Sequence, residues 1–207
     1  YLSCYNDAID ESGKQLAWQQ LKAYKDTLIA ISEPHSSSYV TNKCGPLSMS
    51  GKWDEAIRLL EDYYRQSAED NSDKARMEYL LAELYLGKQD TLQARHYLIL
   101  ASLTDIANAK KVYMSLQHLA ILLFRESDIA RAYNYISCSL EDVNFGKARY
   151  RFIDIAGYLP IIQAANDARI KADENRVLFS LLILLILVIA LVVAFFFIRK
   201  KNTKLLK

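Results

Sequence analysis

The chain has 207 residues, of which 24% are charged and 52% are hydrophobic, and its formal net charge is +2. The last nine residues carry five cations and no acid, so everything before them has a net charge of −3. An acidic balance of this kind excludes the basic surface that nucleic-acid binding requires. We therefore expect this part of the protein to bind no nucleic acid.

Residues 1–50 are predicted to form an irregular N-terminal helical part. Cys44, Gly45 and Pro46 follow one another at a place where a regular first helix of a hairpin would run. Glycine and proline both weaken the interior of a helix, which favours an irregular segment here.

The sequence contains no recognisable catalytic or cofactor-binding pattern. Its three histidines lie far apart, and no zinc-protease, nucleophile-elbow, phosphate-loop or C-x-x-C motif occurs. Glu78 and Glu83 are expected on a solvated surface, and His118 is expected to pack within a hairpin. Each cysteine is expected to be a small buried residue rather than half of a disulfide or a metal ligand; the three are Cys4, Cys44 and Cys138. We expect no enzyme activity, no cofactor and no metal.

Residues 51–158 show apolar side chains at helical spacing. A helix is predicted over 75–86, a turn over 87–90 and a second helix over 91–103, with Asp90 as its N-cap. Shifting this pair by 38 positions superimposes small and apolar residues on one another, as in Ala82 with Ala120 and Ala94 with Ala132. A fixed period of this length is typical of stacked helical hairpins.

These hairpins resemble tetratricopeptide repeats, although the period is longer than usual and the proline common at the repeat boundary is missing. The residues that fill the packing positions of that family are Leu81, Ala82, Tyr85, Ala94, Leu98, Ala101, Leu119, Ala120, Ala132 and Ile136. The resemblance implies an all-α fold of stacked antiparallel helical hairpins, a tetratricopeptide-like α-solenoid. It also implies a protein or peptide partner on the helical-repeat surface.

Tyrosine is abundant, with 14 in the chain. Rigid aromatic side chains provide contact area at little entropic cost, so tyrosines on the repeat helices are candidates for partner binding. The candidates are Tyr97, Tyr133 and Tyr135, together with the cations Arg149 and Arg151. The alternative is that the rings pack in the core with their hydroxyls at its rim, and that the cations are solvated.

Residues 177–198 form an uninterrupted apolar run in which Ser180 is the only polar residue. As a helix the run would be roughly 33 Å long, enough to cross the hydrocarbon core of a bilayer. A single transmembrane helix is therefore predicted. Residues 199–207 form a basic tail through Arg199, Lys200, Lys201, Lys204 and Lys207, whereas residues 166–176 carry only three cations. This difference predicts a cytoplasmic C-terminus and an extracytoplasmic, periplasmic N-terminal domain.

A juxtamembrane helix is predicted over 159–176. Pro160 suits the first turn of a new helix, which is expected to continue from about 161 to 201. Within the span, Ala190 and Ala194 form a pair of small residues at the spacing that lets two spans approach, which suggests a homodimer. The alternative for the juxtamembrane helix is a passive tether.

A closer resemblance covers most of the chain, from about Trp18 to the span, and is most specific over residues 115–162. This region is similar to a family of single-span, membrane-anchored regulators of Bacteroides-type bacteria. The resemblance implies a sensory domain outside the membrane and a cytoplasmic DNA-binding region, which cannot be placed on residues of this chain. Two other functions fit the same sequence: a tail-anchored adaptor whose repeats face the cytosol, and a membrane-tethered scaffold without signalling output.

Overall fold

The computed structural model describes residues 11–66, 71–109, 114–146 and 149–205. Within these ranges all regular structure is helical, and the chain forms two compact units, Tyr1–Tyr158 and Leu159–Lys207. The helices in these ranges are α1 (Glu11–Ile31), α2 (Ser37–Met49), α3 (Trp53–Gln66), α4 (Asn71–Gly87), α5 (Thr91–Ala107), α6 (Ser115–Arg125), α7 (Ile129–Gly146) and α8 (Arg149–Leu205).

Three helical hairpins form most of the first unit: α2 with α3, α4 with α5, and α6 with α7. Neighbouring hairpins stack because α3 packs on α4 and α5 packs on α6, and α1 packs on α2. The predicted all-α fold of stacked hairpins is confirmed.

The turn inside each hairpin has the same geometry, at the same period of 38 residues. Its middle residue, which is Gly51, Gln89 or Ser127, has a left-handed backbone with φ of 74°, 66° and 66°. In the second and third turns the carboxylate of Asp90 or Asp128 accepts a bond from a backbone N–H of the following helix, in both cases at 3.1 Å. The residue after the left-handed one donates its N–H to the carbonyl five residues earlier at 2.9 Å, in the pairs Lys52–Leu47, Asp90–Tyr85 and Asp128–Leu123. This is the Schellman ending of an α-helix.

We expect Gln89→Gly and Ser127→Gly each to raise the free energy of unfolding by about 0.5 kcal/mol. The left-handed conformation costs a residue with a Cβ about 1–2 kcal/mol, which exceeds the entropic cost of glycine of about 0.5–1 kcal/mol. Gly51→Ala should lower stability by about 1 kcal/mol for the same reason. Thermal melts of the full chain in detergent measure the stability of all three variants. A lower melting temperature for Gln89→Gly than for the wild type would contradict the turn geometry.

Residues 11–50 are more regular than the sequence predicts. Helix α2 passes through Gly45 and Pro46 without interruption. Its Val40 and Cys44 are buried in the core, and this tertiary packing outweighs the poor helix propensity of the sequence. A Cβ at Gly45 would meet only the flexible end of the Lys25 side chain on α1, which can move aside. The domain boundary near residue 50 remains a prediction.

The residues expected to pack the repeats are buried, with one exception. Leu81, Ala94 and Ala132 have no exposed surface, and they come from α4, α5 and α7. The exception is Tyr85, which is partly buried at the edge of the core. The others are also buried: Ala82, Leu98, Ala101, Leu119, Ala120 and Ile136. Small side chains at these contacts allow neighbouring helices to approach closely.

Helix α8 continues through Pro160, where the sequence predicts that one helix ends and another begins. A proline removes one backbone hydrogen bond and leaves the carbonyl four residues earlier without its partner. That carbonyl belongs to Ala156, which is exposed, so water can satisfy it. The proposed boundary between repeats and juxtamembrane helix at residue 159 remains a prediction.

The apolar part of α8 is exposed from Val177 to Phe195. The best 18-residue window of this helix has a mean hydropathy of 3.5 and is 0% buried. In length and composition, therefore, one helix near the C-terminus can cross a membrane.

Candidate functional site

Glu78 on α4 is a buried carboxylate, with 1% of its surface exposed. The hydroxyl of Tyr64 on α3 donates to its Oε1 at 2.7 Å, and the hydroxyl of Thr104 on α5 donates to its Oε2 at 2.8 Å. The expectation that Glu78 lies on a solvated surface is wrong. Its partners come from neighbouring helices, which the helical spacing of α4 alone does not reveal, and the carboxylate joins three helices.

A second carboxylate, Glu61 on α3, lies beside it and accepts bonds from two tyrosines. The hydroxyl of Tyr85 donates to Oε1 of Glu61 at 2.8 Å, and that of Tyr97 lies 3.4 Å from the same oxygen. The rings of Tyr85 and Tyr97 are stacked, with centroids 5.6 Å apart. Arg65 completes the group through an ion pair of 3.2 Å with Glu61.

These tyrosines are held as hydrogen-bond donors. Burial, followed by the hydrogen bond to Glu78, raises the pKa of Tyr64. Burial and the bond to Glu61 raise the pKa of Tyr85 in the same way, and the pKa of Tyr97 is raised by burial and the charge of Glu61. All three hydroxyls therefore stay protonated at neutral pH. The cluster connects two hairpins and does not form an open binding surface.

An open cleft of about 320 Å³ lies on the side of the first unit formed by α4 and α6. We refer to it as the α4–α6 cleft. Its lining combines charged, polar and aliphatic side chains with one aromatic ring: Glu83, Leu86, Gln117, His118, Ile121, Leu122, Arg125 and Tyr158. Since α4 and α6 are the first helices of consecutive hairpins, the cleft lies between two repeats.

His118 connects the two walls of this cleft. Its Nδ1 lies 2.8 Å from Oε1 of Glu83 and 3.3 Å from the hydroxyl of Tyr79, both on α4. The rings of His118 and Tyr79 lie 5.4 Å apart. Glu83 is thus paired rather than freely solvated, although its side chain is 40% exposed.

Two further polar residues, Gln117 and Arg125, line the cleft. Gln117 is buried, with 2% of its surface exposed. Arg125 is exposed at the end of α6 and forms no ion pair with the described residues. The sequence analysis missed both, although residues 117, 121 and 125 are spaced by four and therefore share one face of α6.

No serine, threonine or cysteine is among the described residues that line the α4–α6 cleft, so the His118–Glu83 pair has no nucleophile to activate there. Among the described residues there is also no cluster of histidine, cysteine, aspartate or glutamate that could hold a metal ion.

A second cleft of about 410 Å³ lies among α5, α6 and α7. It is mostly apolar, and Ile99, Leu103 and Leu123 are among its lining residues. Both of its arginines are already paired: Arg95 with Glu126 at 2.8 Å and Arg131 with Asp128 at 2.6 Å. Among the described residues that line this cleft, neither arginine is left unpaired.

The three predicted partner-binding tyrosines do not meet at one site. Tyr97 belongs to the tyrosine cluster, Tyr135 lines the second cleft, and Tyr133 is half-buried on α7. Arg149 and Arg151 begin α8, and their side chains lie outside the described residues. A role for any of the five in partner binding stays a prediction.

The two described cysteines differ in environment. Cys44 is buried as predicted, and burial raises the pKa of its thiol to about 11. Cys138 is exposed on α7, so the expectation that it is buried is wrong, because it lies on the outer face of the last hairpin helix. Cys4 lies outside the described residues. The side chains of the predicted topology determinants also lie outside them: Arg199, Lys200, Lys201 and Lys204.

The repeat unit can be assigned to a family. The profile of the SusR N-terminal TPR domain matches residues 1–157 of the chain. The chain belongs to this family. The resemblance to tetratricopeptide-like regulators of Bacteroides-type bacteria is thereby confirmed.

Solved structures with similar folds are also tetratricopeptide-like. The crystal structure of BtubC (BKLC) from P. vanneervenii has a TM-score of 0.60 and 15% identity, over 72% of this chain and 66% of that one. This chain therefore spans slightly less than two thirds of that structure. Two crystal structures of a putative kinesin light chain with nearly identical TPR-like repeats, from Podosopora anserina, each have a TM-score of 0.45 and 13% sequence identity. The aligned regions cover 75% and 76% of this chain, and 90% and 91% of the kinesin light chain structures.

At 15% identity the likeness to BtubC shows the fold alone. No curated protein matches the sequence. The family and the fold together make the repeat unit a tetratricopeptide-like domain of the kind that mediates protein interactions.

Proposed function

We propose that this SusR-type repeat domain is the extracytoplasmic sensory part of a single-span membrane regulator. It binds a protein or peptide partner, and it has no catalytic function. Helix α8 crosses the membrane once, and the basic tail after it lies in the cytoplasm. Occupancy of the repeat unit is passed through the span to a cytoplasmic output.

The observation that carries this proposal is the exposed apolar run from Val177 to Phe195 in a chain whose remaining helices form a regular repeat unit. A soluble protein would bury such a run, because each exposed leucine or isoleucine side chain costs about 1.5–3 kcal/mol in water. A bilayer removes that cost. The proposed orientation of the chain in the membrane rests on the excess of cations after the span.

The proposed transmission of a signal from the repeat unit through the membrane is supported by the length of α8, which runs from Arg149 to Leu205. A helix is stiff enough to pass a displacement or rotation along its axis, and two copies could also associate through Ala190 and Ala194. A homodimer is part of this proposal.

Labelling of Cys138 tests the sidedness. The protein is expressed in bacterial cells from its own gene with Cys4→Ser, the cells are converted to spheroplasts, and thiols are reduced. A maleimide that cannot cross membranes should then label the chain in intact spheroplasts, since Cys138 is exposed. Cys44 should stay unlabelled because it is buried and its thiol has a pKa of about 11.

Cys138→Ser is the matched control and should abolish the signal. Labelling of Cys138 only after the membrane is broken would overturn the proposed sidedness. The repeat unit would then face the cytosol, and the tail-anchored adaptor would be the better function.

A further inference from the structure

We infer that the second cleft, which lies among α5, α6 and α7, binds a free fatty acid of about twelve carbons. The hydrocarbon chain lies between α5 and α6, and the carboxylate accepts hydrogen bonds from Arg95 and Arg131. This ligand is separate from the protein or peptide partner of the proposed function. The inference also does not depend on the side of the membrane that the repeat unit faces.

The outer face of α5 is apolar where the equivalent helices are polar. Ile99, Leu103 and Ile106 line the second cleft and are 41%, 58% and 66% exposed. The equivalent residues are Glu61 and Arg65 one period earlier, on α3, and Ser137, Glu141 and Asn144 one period later, on α7. The repeat fold therefore does not require apolar side chains at these positions. Exposing them to water is unfavourable, which indicates a ligand that covers them.

Two pairs of polar side chains hold α5 and α6 side by side in opposite directions. Arg95 pairs with Glu126 at one end at 2.8 Å, and Asp105 accepts a hydrogen bond from Ser115 at the other end at 2.6 Å. Between these ends each helix lines the cleft with three aliphatic side chains, which are Ile99, Leu103 and Ile106 on α5 and Leu116, Leu119 and Leu123 on α6. The cleft is therefore a trough with two aliphatic walls.

This trough offers few partners to a peptide backbone. Besides the two arginines, the polar side chains among its described lining residues are Ser102 and Tyr135. Ser102 is buried, and its hydroxyl already donates to the carbonyl of Leu98 at 2.8 Å. Each peptide N–H or C=O left unpaired in the trough would weaken binding by about tenfold or more. A hydrocarbon chain needs no such partners, so it fits the trough better than an extended peptide does.

The cations of the lining lie at one end of the trough. Glu126 and Asp128, which pair with Arg95 and Arg131, are two residues apart at the turn between α6 and α7. A guanidinium has five N–H donors, and the ion pairs with these described residues use one nitrogen of Arg95 and two of Arg131. Partly exposed ion pairs of this kind also contribute little stability. Both arginines can therefore donate to a carboxylate at this end.

The length of the trough determines the length of the chain that fills it. Eleven residues separate Arg95 from Ile106 on α5, which is about 16 Å along the helix axis. An extended chain of atoms advances about 1.2 Å per bond, so about twelve carbons reach from the arginines to the far end. The volume of about 410 Å³ is at the lower end of the range for ligand sites and suits a single chain.

The experiment measures binding of saturated fatty acids with six to sixteen carbons to the full chain in lipid nanodiscs by calorimetry, with empty nanodiscs as the reference. Affinity should rise by up to about fourfold per added carbon, because each methylene buries apolar surface. It should stop rising near twelve carbons, where the trough ends, and dodecanoate should bind with a Kd of about 100 μM or tighter. An affinity that rises with every carbon, as for partitioning into lipid, or no binding beyond that of empty nanodiscs, would overturn the inference.

The head group is tested with dodecanol and with dodecylphosphocholine, which stands for a membrane lipid. Both should bind at least about tenfold more weakly than dodecanoate, since neither brings a carboxylate to the arginines. The double variant Arg95→Gln, Arg131→Gln should weaken binding of dodecanoate by about tenfold and leave that of dodecanol unchanged. Equal affinities for the three compounds would contradict a fatty-acid site and would favour an apolar groove for a lipid or a partner helix.

The aliphatic wall is tested with Leu103→Glu. The new carboxylate repels the ligand and interrupts the wall, so binding of dodecanoate should weaken by about tenfold or more. Leu92→Glu is the matched control, because Leu92 is 65% exposed on the same helix and is not among the described residues that line the cleft. Wild-type affinity in Leu103→Glu would refute the site. Failure of these experiments leaves the labelling of Cys138 unaffected, so the two proposals fail separately.

Discussion

Ala94→Arg should unfold the repeat unit. Ala94 has no exposed surface and lies on α5 where successive hairpins stack, so the guanidinium would be buried without a partner. Burial of an unpaired charge, with the space its side chain needs, costs at least about 4 kcal/mol. Since domains are stable by only about 5–15 kcal/mol, we expect little or no cooperative melting. Circular dichroism at increasing temperature, on the full chain in detergent, measures the loss.

Ala132→Arg should have the same effect, because Ala132 occupies the equivalent position one period later and is equally buried. Ala107→Arg is the matched control. It adds the same side chain to the end of α5 at an exposed position, and stability should change by less than about 0.5 kcal/mol. A melting curve of Ala94→Arg that coincides with the wild type would refute the repeat register.

Glu78→Ala should destabilise the repeat unit by about 3 kcal/mol. The substitution removes the acceptor of the Tyr64 and Thr104 hydroxyls, and each hydroxyl left unpaired inside the protein costs about 1–3 kcal/mol. Glu78→Gln should cost only about 1 kcal/mol, because its amide can still accept from one hydroxyl and donate to the other. Urea unfolding curves give these free energies.

A second substitution separates the two contributions to the loss of stability in Glu78→Ala, which are the lost hydrogen bond and the lost side-chain volume. In the Glu78→Ala background, Tyr64→Phe removes the unpaired hydroxyl and should recover about 1 kcal/mol, whereas in the wild type it should destabilise. Glu55→Ala, at an exposed position of α3, is the control and should have little effect. Equal effects of Tyr64→Phe in both backgrounds would show that the carboxylate does not hold this hydroxyl.

Secondary structure was predictable wherever local signals agreed. The period of 38 residues and Asp90 as an N-cap lead directly to the hairpins, because each depends on residues close together in the chain. The prediction was wrong at Gly45 and at Pro160, which both lie inside helices. There, packing of a neighbouring helix or solvation of a free carbonyl compensates for the weak local propensity.

The candidate site was not predictable to the same extent. Gln117 and Arg125 are ordinary residues of an amphipathic helix, and only their place in the wall of a cleft distinguishes them. In the same way, Glu78 looks like a surface acid until Tyr64 and Thr104 arrive from α3 and α5. Tyr97, a candidate for partner binding by sequence, stacks on Tyr85, a contact that the sequence does not reveal.

By itself, the sequence determined the helical repeat and the single membrane-spanning run of this protein. Both follow from the spacing and continuity of apolar residues, which act over one or two helical turns. The tertiary structure decided which polar groups pair with one another. That pairing depends on side chains brought together from helices 14 to 39 residues apart, such as Tyr64 with Glu78 and Tyr79 with His118. No local pattern specifies such contacts, because they form only when the hairpins stack.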